Sequence, residues 1–522
     1  MPLHATSTTD RPQPLRPHAA PGTDGLGNNF DKIILSGVLL IVCACIFAIS
    51  QGSYAYGDEG FYVLAAQLIT FGKRPYLDFF FQHPPLDIYF TAGWMSLFGD
   101  SWRSAHAFSA ILTAASASMV GGFAFTRFSD RGWRLACAIG TVFLFASNVL
   151  VTRFGVIGQP YALSIFLIFS AFLLCVRATN HSRFSAIWAG LLSGIAFASS
   201  LLTAVIAPLL LVWIVGHASA PDRKRRFFQF VTGAVVGSLP LLWFVFRAPR
   251  EVFFDLVTYH LHYRDRAQFW QGKNVLQEDL QIMTSWLGSA QGVLLALFTF
   301  FGIVAFFGAS QRSNIRLRKE LQLCSLIVIC LSGYIGLARA SCPQYFVLLV
   351  PFVAILAASG VYAVGTQMFA TVRWIWPVLI ILTLYGFEGA KSVRGQIRDP
   401  DTSWKEYEQI AGVINRVIPQ ACSIYSDDPG VYFAAKRVPP SGLENNYSFF
   451  LPRQAAEKVH VMSQDEADSH VLNASFGGVV TWSPKSIERL NLRQLYKSEE
   501  VFPGHTVFWQ WANESQQPCH DR

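Results

Sequence analysis

Apolar runs long enough to cross a bilayer alternate with short polar stretches along most of the chain. A spanning helix needs roughly 20 apolar residues; the apolar runs occupy 32–50, 104–125, 135–176, 184–216, 227–309 and 321–365, with a shorter one at 374–387. Basic residues cluster between them: Arg127, Arg131 and Arg134; Arg177 and Arg183; Arg223 to Arg226; Arg312, Arg316, Arg318 and Lys319; and Arg373. The positive-inside rule places all of these clusters in the cytoplasm, so an even number of crossings must separate any two of them. The runs satisfy that parity. Two spans fit 135–176 with an outside turn at 151–159, and a tight hairpin fits 184–216. Two more flank a polar outside loop at 248–285, and two fit 321–365 with a turn near Arg339 to Pro343. Adding 32–50, 104–125 and 374–387, the pattern predicts about eleven transmembrane helices, N-terminus inside and C-terminus outside.

The two ends of the chain read differently. Residues 1–31 are rich in Pro, His and Thr and predict a disordered cytoplasmic tail. A cleaved signal peptide fits poorly, because the leader is too long and the run Ile33 to Ile49 too extended. From Ser392 the chain turns polar. Trp404, Tyr407, Ile410, Ile414 and Val417 recur at helical spacing, and β-rich pieces follow at Ser423–Tyr425, Gly430–Phe433, Gly477–Trp482 and His505–Trp511. The fold class is therefore an α-helical polytopic membrane protein with a small C-terminal α/β extracytoplasmic domain. The transmembrane domain covers 32–391, with outer loops 51–103 and 248–285, and the C-terminal domain covers 392–522.

Composition agrees. Of 522 residues, 52% are apolar and 14% charged, against about 25% charged in a soluble domain, which excludes a string of soluble domains. The net charge of +8 lies in the inner loops, so it orients the chain in a membrane and does not imply nucleic acid. Seven of the nine cysteines lie in or beside apolar runs, where Cys acts as a small hydrophobe. Cys422 and Cys519 are the pair in the outer domain, and an oxidising compartment predicts a disulfide between them.

The spans hold almost no Asp, Glu, Lys or Arg. Proton pumps and ion-coupled transporters need ionisable groups at mid-membrane, so the chemistry belongs at the outer interface. The first outer loop carries most of it: Gly57-Asp58-Glu59-Gly60-Phe61-Tyr62, then Gln82-His83-Pro84-Pro85-Leu86. The plain reading of Asp58-Glu59 is a helix N-cap with a favourable dipole charge. Phe61, Leu64, Ala65, Leu68 and Ile69 then read as an amphipathic interfacial helix.

An acidic pair after the first span, an interfacial helix and a following Pro-Pro-Leu resemble the GT-C membrane glycosyltransferases. The nearest branch is that of protein O-mannosyltransferases and lipid A aminoarabinose transferases. The resemblance covers topology from the first span to about residue 390, and motif detail in residues 54–110. It implies an enzyme of the bacterial inner membrane, active on its outer face. Its partners would be a polyprenyl-phosphate-sugar donor and an envelope acceptor: lipid A or lipopolysaccharide, a surface glycan or a protein. Inverting transfer needs one carboxylate to deprotonate the acceptor hydroxyl and cations to meet the departing phosphate.

By motif, Asp58 is then the base and Glu59 an orienting or donor-contacting partner, with Tyr62 lining the site. Arg153, Arg339 and His83 are candidate phosphate contacts; the bland alternatives are a snorkelling Arg, an anchor, and a histidine bonded to backbone. Gln82 and Gln159 stand where relatives carry acids, which leaves a second catalytic carboxylate in doubt. His260 and His262 are two apart and diverge by about 200° on a helix, so they read as a polar face over the site. No cofactor is expected, a divalent metal being the minority alternative. A lipid-linked-sugar flippase is the rival from another class, and a structural membrane subunit a third reading that would leave Asp58 without a role.

Overall fold

The computed structural model describes residues 23–128, 131–179, 184–264, 275–307, 315–338, 341–368, 375–398, 402–445 and 451–513. The first helix, α1 (Thr23–Ser50), begins upstream of residue 31 and leads to the short strand β1 (Tyr54–Ala55), then α2 (Glu59–Thr70) and α3 (Leu86–Phe98). The chain returns through α4 (Trp102–Arg127), whose N-cap Ser101 accepts the Ser104 amide. It continues through α5 (Arg131–Ala146), the short α6 (Val149–Phe154), α7 (Tyr161–Thr179), the pair α8 (Ser185–Ser199) and α9 (Ile206–Gly216), and α10 (Ala220–Arg247). A second polar segment holds α11 (Pro249–Phe253), one π-helical turn (Phe254–Thr258) and α12 (Tyr259–His262). Next come α13 (Val275–Gly288), α14 (Ala290–Phe307), α15 (Ile315–Leu337), a 3-10 turn (Pro343–Leu349) running into α16 (Val350–Met368), and α17 (Ile375–Arg398).

Among the described residues, 6 helices are long and apolar enough to span a membrane, or 7 if α13 and α14, bent by 79° at their junction, form one broken span. Three further apolar helices, Trp133–Ala146, Ser185–Ser199 and Leu201–Gly216, are shorter. At 1.5 Å per residue each falls short of a hydrocarbon core about 30 Å thick, so length and composition stop below the eleven crossings expected. The helices pack through small residues, as membrane helices do. Gly190 and Gly194 on α8 lie against the α10 backbone at Phe230 and Ala234, and Gly233 and Gly237 on α10 against the α8 backbone at Ile187 and Leu191; a β-carbon on Gly190 would run into the Phe230 carbonyl.

The C-terminal domain begins with β2 (Thr402–Ser403), which pairs antiparallel with β1. It continues through α18 (Trp404–Val417), β3 (Ile424–Ser426), α19 (Pro429–Ala435), β4 (Gly478–Thr481), β5 (Tyr496–Val501) and β6 (Thr506–Trp511). The sheet order is β3-β4-β6-β5, with β3 and β4 parallel and the other pairs antiparallel. Alternation divides its faces. Val480 and Val507 join the core shared with the first outer loop, while Val479 and Phe508 close a smaller core with Tyr425, Val471 and Leu492. The segment Gly430–Phe433, expected as a strand, is instead the helix α19. Asp428 caps it by accepting the Gly430 amide, and Pro429 takes the first helical position. Cys422 is disulfide-bonded; Cys519, its expected partner, lies outside the described residues, as do residues 1–22 of the expected tail.

A second correction concerns α2. It is not interfacial: residues Glu59 to Leu68 are all buried. The C-terminal domain covers it, because the two share one apolar core in which Phe61, Leu64 and Leu68 pack with Trp404, Ile410 and Val431. Trp102 stacks on Trp404 (ring centroids 6.2 Å apart) and donates to Glu408 at 2.8 Å. Lys73 pairs with Glu444 at 3.0 Å and Lys436 with Asp100 at 2.8 Å.

Candidate active site

A cavity of about 670 Å³ opens between the segment 51–103, the α12 segment, the start of α7 and the ends of α8 and α15. That is the size of a typical small-molecule site. Asp58, Tyr62, Gln82, His83 and His260 line it, together with Arg264 and Tyr345. Asp58 occupies the N-cap position of α2 (φ −71°, ψ −2°), yet its side chain makes no capping hydrogen bond. The cap reading of Asp58 therefore fails on geometry, and the carboxylate forms part of the cavity wall. Gly57, at φ +43°, makes the turn that presents it.

Glu59 goes elsewhere. It is fully buried, and its Oε1 lies 2.5 Å from His106 Nε2 and accepts the Gly158 amide at 2.8 Å. As a donor contact Glu59 is corrected: one residue along a helix turns the side chain about 100°, away from the cavity and into the α4 interface.

The histidines divide as their spacing requires. His260 Nε2 donates to the Gln82 carbonyl at 2.7 Å, and its ring lies 5.9 Å from that of His83. His262 is exposed and takes no part in the cavity wall. Burial pushes His260 down to about 4, helped by the Arg264 charge. Burial likewise holds His83 well below the usual imidazole value, with His260 and Arg264 adding to the effect. His83 thus offers a neutral ring beside Tyr62 (centroids 5.1 Å apart) rather than the cation expected for phosphate. The Gln82 side chain turns outward, its Oε1 accepting from Asn445 of the C-terminal domain at 2.5 Å. No group of three His, Cys, Asp or Glu side chains among the described residues is placed to hold an ion.

Arg153 packs against the tyrosines just before Asp58. Its Nε donates to the Tyr54 hydroxyl at 2.8 Å and its guanidinium lies 5.2 Å from the Tyr56 ring centroid; Tyr56 itself faces the cavity. Gln159 Nε2 donates to the Tyr56 carbonyl at 3.0 Å, so the residue in place of the expected acid anchors the turn just before Asp58. Arg339 lies outside the described residues.

Among the described residues, the cation that lines the cavity is Arg264. It donates to the Tyr345 hydroxyl and lies 4.0 Å from Cys342 Sγ. Tyr62 is within electrostatic reach of both Asp58 and Arg264, and burial together with the Asp58 charge pushes its phenol well above its usual value. One carboxylate, one guanidinium and several protonated tyrosines thus share one pocket. Such a set can accept a proton from a hydroxyl and stabilise a leaving anion.

No family model matches the chain, and no curated protein sequence does. Solved structures do. ArnT from Cupriavidus metallidurans bound to undecaprenyl phosphate superposes with a TM-score of 0.65 at 13% identity, over 93% of this chain and 98% of that one. The oligosaccharyltransferase of Archaeoglobus fulgidus, in complex with Zn and sulfate, superposes with a TM-score of 0.52 at 11% identity, over 91% of this chain and 73% of that one. The chain has the GT-C fold.

Within the GT-C fold the site joins segments far apart in sequence, and this explains what sequence reasoning missed. Arg264 is visible in the run Tyr259-His260-Leu261-His262-Tyr263-Arg264, yet the sequence reading gives it no role. A signal exists: the rotation that separates His260 from His262 brings His260 and Arg264, four apart, onto one face. Tyr345 reads along the chain only as an aromatic after Pro343.

Proposed function

We propose that the protein is a membrane glycosyltransferase that moves a sugar, with inversion, from a polyprenyl-phosphate-linked donor to an envelope acceptor. The acceptor class comprises lipid A or lipopolysaccharide, surface glycan and protein, and the reaction takes place on the outer face of a bacterial inner membrane. The observation that carries this reading is Asp58: a carboxylate at a helix start that makes no capping bond and faces a cavity shared with Arg264. In this mechanism Asp58 takes the proton of the acceptor hydroxyl as its oxygen attacks the anomeric carbon. The bond from that carbon to the phosphate oxygen breaks, and the phosphate leaves with both electrons. Arg264, held by Tyr345, meets its growing charge; neutral His83 supplies a hydrogen bond to sugar or phosphate, while His260, its one N–H donated to the Gln82 carbonyl, can only accept from a sugar hydroxyl. The solved GT-C structure that superposes over nearly its full length holds undecaprenyl phosphate, which supports a lipid phosphate as the leaving group. The same reading takes all eleven crossings, counting the three short apolar helices and α17, with the N-terminus in the cytoplasm and the C-terminal domain outside.

Purified protein in lipid nanodiscs is incubated with a panel of polyprenyl-phosphate sugars and with glycolipid, glycan and protein acceptors. Mass spectrometry should find a glycosylated acceptor and an equal amount of released polyprenyl phosphate. In proteoliposomes, donor that crosses the bilayer intact, with no phosphate released, would replace this reading with a flippase.

A further inference from the structure

Asp58 can act as a base only if the first turn of α2 holds it toward the cavity, and that turn is gripped from behind by one face of α4. His106, Ser109 and Thr113 stand at successive turns of α4, all buried. His106 Nδ1 donates to the Ser50 carbonyl at 2.6 Å, which orients the ring so that Nε2 meets Glu59 Oε1 at 2.5 Å. Ser109 donates to the Ile157 carbonyl at 2.7 Å and Thr113 to the Gly155 carbonyl at 2.5 Å. They pin the turn whose Gly158 amide donates to the same Glu59 oxygen at 2.8 Å. On the opposite side the C-terminal domain closes the grip: a β-carbon on Gly60 would stand 2.7 Å from the Gly430 nitrogen and 2.8 Å from its Cα. The carboxylate next to the base is thus clamped by a histidine that has no place in the cavity wall.

We propose that His106 is a positioning residue for the Asp58 base, acting through Glu59. The inference rests on the reading of Asp58 as the base. Its physical content is that His106 sets the rotation of the first turn of α2, and hence the direction of the Asp58 carboxylate, without touching substrate. A displacement of about 1 Å at a reacting group can lower a rate about a hundredfold.

The test is a double-variant cycle on the full-length protein in nanodiscs. It is read by kcat with the donor and acceptor that the panel assay selects and by binding of polyprenyl phosphate. His106→Ala is expected to lower kcat about tenfold to a hundredfold while polyprenyl phosphate binding stays within about twofold. His106→Gln, which keeps a donor toward Glu59, should recover most of the loss. In the Asp58→Asn background, His106→Ala should lower the rate no further, because no base remains to be aimed. Ser116→Ala, further along α4, whose hydroxyl donates to the Leu112 carbonyl of its own helix, controls for a general loosening of α4. It should leave kcat near that of the unaltered protein. Should His106→Ala not fold, His106→Leu takes its place in the same cycle. A His106→Ala protein with unaltered kcat, or losses that multiply in the double variant, would overturn the positioning role. Asp58→Asn turning over at the normal rate would instead remove the reading of Asp58 itself.

Discussion

The contact that holds the C-terminal domain against α2 carries a buried charge cluster, and its energetics can be worked out. His505 is almost fully buried. Its Nδ1 lies 2.9 Å from Glu406 Oε1 and its Nε2 3.0 Å from Asp428 Oδ2, which also accepts from the Tyr407 hydroxyl at 2.8 Å. Desolvation opposes the charged ring, but the hydrogen bonds and charges of Asp428 and Glu406 outweigh it and push His505 up to about 10. Asp428, gripped by His505, Tyr407 and the Gly430 amide, is held below the usual carboxylate value. A folded value raised above the unfolded 6.5 means stability fully present below pH 6.5 and lost as pH rises through 10. At pH 7.5 the raised value corresponds to about 3 kcal/mol. His505→Gln should therefore destabilise the domain by about 3 kcal/mol near neutrality, and the gap from the unaltered protein should close as pH approaches 10. The assay is thermal unfolding of the full-length protein read by pulse proteolysis, following peptides from 404–511, at steps between pH 6 and 10. A gap constant across that range would show that His505 is neutral in the folded protein and would refute the argument.

The other predictions concern the site and the frame around it. Asp58→Asn should lower turnover about 10²- to 10⁴-fold with polyprenyl phosphate binding retained, measured by kcat and by native mass spectrometry. Arg264→Gln should do the reverse, weakening polyprenyl phosphate binding by about 1.5–3 kcal/mol without removing the base. Single cysteines introduced at position 58 and after Ser392 should react with an impermeant maleimide from outside the cell, and one introduced within the stretch Arg223 to Arg226 only from inside. Peptide mapping without reduction should recover Cys422 linked to a peptide that contains Cys519.

Much of this protein is legible along the chain itself. Bilayer crossing is a property of composition within a single segment, so the apolar runs announce the membrane domain without reference to anything distant. The amphipathic pattern Trp404, Tyr407, Ile410, Ile414 likewise announces α18, and the strands around Val479 and Phe508 follow from β-branched and aromatic residues. The cavity-facing place of Asp58 is suggested by a local motif and a helix start. Contacts between distant segments settle what the sequence leaves open. Whether Glu59 joins Asp58 at the cavity depends on His106 and Gly158, 47 and 99 residues away. The outward turn of Gln82 depends on Asn445, 363 residues away. Arg264 comes to share the cavity with Asp58 because the π-helical turn and α12 fold back over the first outer loop, where His260 bonds the Gln82 carbonyl. Periodicity and composition are sums over neighbours in sequence. The direction of one carboxylate is set by whichever donors the finished packing brings within about 3 Å.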